Sequence, residues 1–400
     1  MLKNLINTSK ISLLVGLCTL PTISYAAIPN SVGEQFGIVA PQIAAKTYFL
    51  MDYQSGAILA EKNAEERFAP ASLTKMMTSY VIGDAIKKGQ IHSDDIVTIS
   101  KNAWGHNFPG SSQMFLNINQ KVPVSDLNRG IIVHSGNDAC VAMAEYLSGS
   151  QDTFVQKMNS YAKKFGLKNT HFMTVHGLDK EGQYSSAKDM GIIAWHIIHD
   201  LPNEYKIYSE KEFTFNKIRQ SNRNRLLWDS SLHVDGLKTG HTDEAGYNLV
   251  TSATDNNNSM RLISVVMGTT SSKAREVESK KLLRWGFANF ETVQAVTAGK
   301  VIVEEPLYYG QNDVVKLGGL KDIFITLPKG RKQDVKSRYE LKTAYLEAPL
   351  KRGQVVGKII YQLDGKDIAA INLQVLENTQ EGSIFSRLWD WAVLTIKSLI

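Results

Sequence analysis

Ser72 and Lys75 stand three residues apart in Pro70-Ala71-Ser72-Leu73-Thr74-Lys75. On a helix that spacing puts a hydroxyl and an amine on one face, within side-chain reach of each other. The chemistry open to such a pair is nucleophilic. A serine hydroxyl is a weak nucleophile until a base takes its proton, and a lysine can be that base only if its ammonium is destabilised. The spacing alone decides nothing, because Ser160/Lys163 and Ser185/Lys188 repeat it. Those two pairs have neither a preceding proline nor an apolar helix around them, and they read as solvated helix faces. Ser72 differs in its company: Ser135-Gly136-Asn137 and Lys238-Thr239-Gly240 each occur once and follow in that order. Singly these are a turn and a strand ending at glycine. Together with Ser-x-x-Lys they describe an acyl-transfer site with a serine nucleophile. Burial beside Lys238 would lower the pKa of Lys75 in the required direction, and Ser72, placed in a first helical turn, would have the positive end of the helix dipole near a developing anion.

The elements around these residues can be read from their periodicity. Lys46 to Asp52 alternates as a strand, and Gln54-Ser55-Gly56 turns it into a second strand over Ala57 to Ala60. Ser72 to Lys88 is apolar nearly all round, as a helix in the middle of a domain must be. Segments rich in helix formers follow at Val124 to Leu147, Gln151 to Phe165 and Ser186 to Leu201. Strand candidates begin at Leu237, Tyr247 and Arg261, and a helix over Ser272 to Phe287 closes the unit. Strands at both ends with helices between predict an α+β fold, an antiparallel sheet whose first and last strands pair. Beyond Phe290 short strands and turn signals, such as Pro328-Lys329-Gly330 and Asp364-Gly365, predict a small all-β domain.

The ends have their own character. Met1 to Ala26 combines Lys3 and Lys10, an apolar run over Ile11 to Leu20 and small residues at Ser24 and Ala26, the pattern of a cleaved secretory signal. Cys18 would leave with it, and Leu17 fits a lipoprotein cleavage site poorly. Only Cys140 then remains, so no intrachain disulfide is possible, and Cys140 reads as a small core residue. The formal charge of +6 loses the two lysines of that segment, and the remaining basic residues are scattered. This argues against nucleic acid as a partner. Set on a helix, Ile384, Phe385, Leu388, Trp389, Ala392, Ile396 and Leu399 share one face, opposite Ser386, Arg387, Asp390 and Lys397. The expected division is a signal over 1–26, a catalytic domain over 27–290, a β-rich domain over 291–380 and an amphipathic helix over 381–400. That helix either packs on the β domain or lies in a membrane interface, where Trp389 and Trp391 suit the headgroup boundary.

The longer stretches around the motifs carry a resemblance. Pro70-Ala71-Ser72-Leu73-Thr74-Lys75-Met76-Met77-Thr78, Ser135-Gly136-Asn137-Asp138-Ala139-Cys140, His176-Gly177-Leu178-Asp179 and Lys238-Thr239-Gly240-His241-Thr242 are similar to the low-molecular-mass penicillin-binding D,D-carboxypeptidases of the type-5 and type-6 group. The resemblance implies a substrate, the peptidoglycan stem peptide ending in D-Ala-D-Ala, and covalent inhibition by β-lactams. It implies that Ser72 is acylated with Lys75 as base, that Ser135 passes the proton to the leaving amine, and that Asn137 orients Lys75 and the substrate amide. Lys238 and Thr239 suit the terminal carboxylate, Gly136 and Gly240 are small neighbours, and the resemblance adds Arg275 as a second anchor. The oxyanion hole would use the N–H groups of Ser72 and His241. It also implies a terminal anchor on the inner membrane and a periplasmic active site. No cofactor or metal is implied: His176 and Asp179 form no ligand spacing with another His or Cys, and both read as structural parts of a loop on the floor of the site.

Three alternatives stay open. A serine β-lactamase shares the motifs but needs a glutamate to activate its deacylating water, and Glu145, Glu181, Glu204, Glu210 and Glu212 are not read as that residue. Endopeptidase or transpeptidase action changes the leaving group or acceptor rather than the motifs. A non-catalytic wall-binding scaffold would have no need of the acylation residues.

Overall fold

The computed structural model describes residues 31–399; the expected signal segment lies outside them. Five strands form the first sheet: β1 (Thr47–Asp52), β2 (Ile58–Lys62), β3 (His233–Thr242), β4 (Gly246–Thr254) and β5 (Arg261–Thr269). Their order is β2-β1-β5-β4-β3 with every pair antiparallel, so the first strand of the chain lies beside the last. The pleat explains how this sheet supports two layers. Phe49 and Met51 of β1 join the core built with α1 (Lys75–Lys87), α2 (Asn137–Ser148), α3 (Gln151–Lys164) and α4 (Ala187–Asp200). Tyr48 and Leu50 point the other way and pack with Leu282 and Leu283 of α5 (Ser272–Asn289). Alternate residues of one strand thus serve opposite faces, and each large apolar side chain so buried contributes about 1.5–3 kcal/mol.

Three readings of local structure need correction. The apolar segment from Ser72 is helical but not α-helical from its start: Ala71–Thr74 is a tight three-residue-per-turn helix, and α1 begins at Lys75. Ala71 holds φ at +48°, outside the right-handed region, so the chain enters α1 through a bent turn. The segment from Val124 is not one helix either. It runs α-helical over Val124–Arg129, widens to a π-turn over Gly130–His134, and breaks at Ser135, whose φ is +62°. Ser185 is not on a solvated face: it is fully buried, bonded to Thr170 at 2.8 Å, while Lys188 pairs with Glu65 at 2.6 Å. A hairpin of Glu212–Phe215 and Ile218–Ser221 was not foreseen at all.

The second domain follows α5 directly, with β6 (Phe290–Val296) starting at the next residue. It contains β7 (Val301–Tyr308), β8 (Val314–Gly318), β9 (Ile323–Pro328), β10 (Lys336–Leu341), β11 (Leu346–Glu347), β12 (Val355–Leu363) and β13 (Lys366–Val375). Strands β6 and β9 pair, and the others form a sheet in the order β10-β12-β13-β8-β7-β11 around Leu317, Leu327, Leu373 and Val375. One fully buried carboxylate joins the two domains. Asp52, at the end of β1, accepts hydrogen bonds from Thr292 and Thr326 of the second domain, both at 2.7 Å, and from Ser55 at 3.0 Å.

The last helix, α6 (Ile384–Leu399), turns its polar face to the β domain. Asp390 accepts the Tyr309 N–H at 2.6 Å, Lys397 donates to the Tyr308 hydroxyl at 2.8 Å, and Arg387 pairs with Glu381 at 2.7 Å. Phe385, Trp389 and Trp391 are left 61–85% exposed. No helix among the described residues is long and apolar enough to cross a membrane.

Candidate active site

The strained turn before α1 is held from below by a loop. Gly177 has φ +89°, and a Cβ there would stand 2.0 Å from the Ala71 carbonyl oxygen, so only glycine lets the His176–Asp179 loop lie against this turn. From the side comes β3, where a Cβ on Gly240 would lie 3.0 Å from the Pro70 carbonyl oxygen. Between these elements Ser72 faces a cleft of about 580 Å³, lined also by Ser111, Ser135, Asn137, Arg223, Thr239, His241 and Arg275.

Lys75 sits at the centre of the polar network. Its Nζ donates to Ser72 Oγ at 2.9 Å, to Asn137 Oδ1 at 2.7 Å and to the His176 carbonyl at 2.6 Å. The residue is 1% exposed and has no carboxylate in ion-pair range among the described residues. Burial therefore penalises its charge, and its pKa falls to about 8. The second lysine, Lys238, donates to Ser135 Oγ at 3.0 Å and is also buried. Here the expectation needs adjustment. The main cause at Lys75 is burial itself, whereas repulsion from Lys75 appears on Lys238, whose pKa is pushed well down by burial and then by that neighbour.

Arg275 is not a surface charge. It is 5% exposed, with Nη1 donating to the Gly240 carbonyl at 3.2 Å and Nη2 to Ser272 Oγ at 3.2 Å, and burial holds its pKa to about 10. Its Nε has no partner among the described residues. Thr239 and His241 line the same wall, and the His241 ring lies 3.9 Å from that of Tyr247. The His176 side chain stays apart from the serine. Burial, with Lys75 nearby, pushes its pKa to about 3, and Nδ1 accepts the Leu178 N–H at 3.2 Å. Asp179 accepts from the Thr242 hydroxyl at 2.9 Å, which ties the floor loop to β3. Cys140 is buried and its thiol is pushed up to about 12 by that burial.

Two cleft residues escaped the reading of the sequence. Arg223 stands in a polar stretch without a motif, and its guanidinium lines the cleft with no ion-pair partner among the described residues. Ser111 accepts from Asn137 Nδ2 at 2.9 Å. Neither had a spacing that could have marked it. Glu212 has Asn216 four residues on, the spacing a deacylating glutamate would have, but it lies on the outer hairpin and pairs with Arg219. No glutamate lines the cleft.

Known proteins match this chain in both sequence and fold. The family model described as D-alanyl-D-alanine carboxypeptidase matches residues 34–271, and that of the penicillin-binding protein 5 C-terminal domain matches 290–381. The chain is 62% identical over 392 residues to D-alanyl-D-alanine carboxypeptidase DacA of Haemophilus influenzae, covering 98% of each. It is 58% identical to the Escherichia coli K12 protein of the same name, covering 88% of each. Its fold superposes on penicillin-binding protein 5 from Haemophilus influenzae with a TM-score of 0.84 at 63% identity, covering 86% of this chain and 100% of that one. The Streptomyces K15 DD-transpeptidase matches only 62% of this chain, at 30% identity and a TM-score of 0.57. With the acylation motifs, the second domain and near full-length identity in agreement, the chain belongs to the D-alanyl-D-alanine carboxypeptidase family.

Proposed function

We propose that the protein removes the terminal D-alanine from peptidoglycan stem pentapeptides through an acyl-enzyme on Ser72. The observation that carries this reading is the buried Lys75 amine, 2.9 Å from Ser72 Oγ and without a counter-charge in ion-pair range. As a free amine Lys75 takes the Ser72 proton while Oγ attacks the penultimate carbonyl. The oxyanion is met by the Ser72 and His241 N–H groups. Ser135, bonded to Lys238, relays that proton from Lys75 to the departing D-alanine nitrogen, which leaves Lys75 a free amine again, and Asn137 keeps that amine aimed. Water then attacks the ester, Lys75 again taking a proton, and Ser72 is regenerated. Lys238, Thr239 and Arg275 hold the terminal carboxylate, which selects a substrate ending one residue past the scissile bond. β-Lactams enter by the same acylation and stay as esters.

The test is release of free D-alanine from a pentapeptide ending in D-Ala-D-Ala, beside the same peptide amidated at its C-terminus. The acid should turn over and the amide should not; equal turnover would point to an endopeptidase. On our reading the protein is exported and acts on the wall side of the inner membrane, with α6 lying in the bilayer interface. The support is the exposed apolar face of α6, with its three charged side chains turned to protein partners. Truncation after Glu381 should abolish binding to phospholipid vesicles and leave peptide turnover unchanged. Retained vesicle binding would place the anchor elsewhere.

A further inference from the structure

Ser135 and Asn137 flank a break between helices, and something must hold that break in register with Lys75. The residue after them is fully buried. Asp138 has 0% exposure and makes no ion pair among the described residues. Its carboxylate instead accepts three backbone N–H groups, from Met114 at 2.8 Å, Leu116 at 3.1 Å and Ala139 at 2.9 Å. Met114 and Leu116 belong to a segment without helix or strand, and Phe115 between them has φ +65°. An irregular segment with a residue in that conformation keeps its shape only if its surroundings over-determine it.

That segment is a wall of the cleft. It carries Ser111, which accepts from Asn137 Nδ2, and Ser112, whose carbonyl accepts the Asn137 N–H at 2.9 Å. Asn137 Oδ1 in turn takes the Lys75 ammonium at 2.7 Å. The chain of contacts runs from Asp138 through the loop to Ser111, Asn137 and Lys75.

Charge adds a second connection. The groups that face Lys75 are Ser72 from its own turn, Asn137, Asp138 and Cys140 from α2, His176 from the floor loop, Lys238 from β3, and Arg223. His176 is neutral and Cys140 protonated at ordinary pH, and Lys238 and Arg223 are basic. Asp138 is the one carboxylate among them.

We infer that Asp138 is a positioning residue for the hydrolytic reaction: it straps the Ser111–Leu116 wall onto Asn137 and places a carboxylate near the Lys75 amine. The inference rests on Lys75 being the base of Ser72, which penicillin labelling of Lys75→Arg tests separately.

The variant to measure is Asp138→Asn, which keeps the volume but removes the charge and turns an NH2 toward backbone donors. Turnover of the pentapeptide should fall in kcat by about 10- to 100-fold, the scale of a displaced positioning group, with KM changed far less. The acidic limb of its kcat/KM profile should move to lower pH, because losing a nearby anion disfavours the ammonium form of Lys75. A merely structural aspartate would lower the amount of folded enzyme and leave that limb in place. Wild-type kcat, or an unmoved limb, would overturn the inference. Should the variant fail to fold, amide hydrogen exchange in the wild-type protein decides. The Met114 and Leu116 amides should be protected although they lie outside helix and strand, and rapid exchange at both would overturn the strap.

Discussion

The two domains treat charge in opposite ways. In the first, Lys75, Lys238, Asp138 and Arg275 are all at least 95% buried. In the second, Arg338, Glu340, Lys358 and Asp367 form a ladder of ion pairs at 3.0–3.2 Å with 44–52% of each side chain exposed. Burying a charge costs several kcal/mol unless its partners compensate fully, whereas exposed pairs contribute roughly 0–1 kcal/mol. The difference teaches where this chain accepts a stability cost. Asp52 bears such a cost at the domain joint, and the cleft gathers several around one lysine, Lys75, whose pKa falls to about 8.

The hardest way to break that contrast is at its centre. Ser72→Ala should abolish both D-alanine release and covalent penicillin labelling, since the other oxygens bonded to Lys75 belong to the Asn137 amide and the His176 carbonyl and cannot form an ester. Lys75→Arg keeps a cation but removes the deprotonatable amine, so acylation should collapse by several orders of magnitude, read as the rate of labelling by a fluorescent penicillin. Near wild-type labelling would refute the assignment of the base.

A smaller effect should come from the floor of the cleft. Gly177→Ala forces a Cβ against the Ala71 carbonyl at a backbone angle that alanine resists. It should reduce kcat by about 100-fold through displacement of the Ser72 turn and lower the melting temperature. Unchanged kinetics would mean the turn does not depend on the loop.

The pH profile sharpens the comparison further. Lys75 carries a depressed pKa of about 8, so the free amine accumulates as pH rises, and kcat/KM should climb through an acidic limb near that value. The same sign governs stability. A lysine whose folded pKa lies below its unfolded value near 10.5 weakens the fold most below pH 8, and the penalty is relieved as pH rises from about 8 to 10.5. A limb near pH 6.5 would point to a histidine instead.

The smallest effect belongs to the other domain. Lys358→Ala deletes its 3.0 Å pair with Glu340 and should change unfolding free energy by no more than about 0.5 kcal/mol, by denaturant titration.

What could be read from the sequence follows the same division. Strand alternation and the three motifs carry their own signal, so the antiparallel sheet, its pairing of first and last strands, and the closeness of Ser72 and Lys75 were legible. The bend at Ala71 was not. It depends on Gly177, about a hundred residues away, and no local propensity announces it. The break at Ser135 was hidden because the apolar run Ile131-Ile132-Val133 and the helix formers after Asn137 read as one continuous segment. The hairpin at Glu212–Ser221 turns on Asn216 and Lys217, both at positive φ, without the glycine that usually marks such a turn. Arg223 belongs to the cleft only through tertiary folding.

The knot at Asp52 has a mechanical meaning. Helix α5 passes into β6 with no residue between them, and the Asp52 carboxylate takes two hydroxyl donors across the joint, Thr292 and Thr326, beside Ser55 of its own domain. A hinge requires a few residues free to absorb large changes of backbone angle, and here the chain provides none. The second domain is therefore a strut and not a tether. If α6 lies in the bilayer interface as proposed, a tethered enzyme would sweep a volume and meet bonds at any depth. A strut holds the cleft at one stand-off, so the protein would trim only the layer of wall that lies at that height.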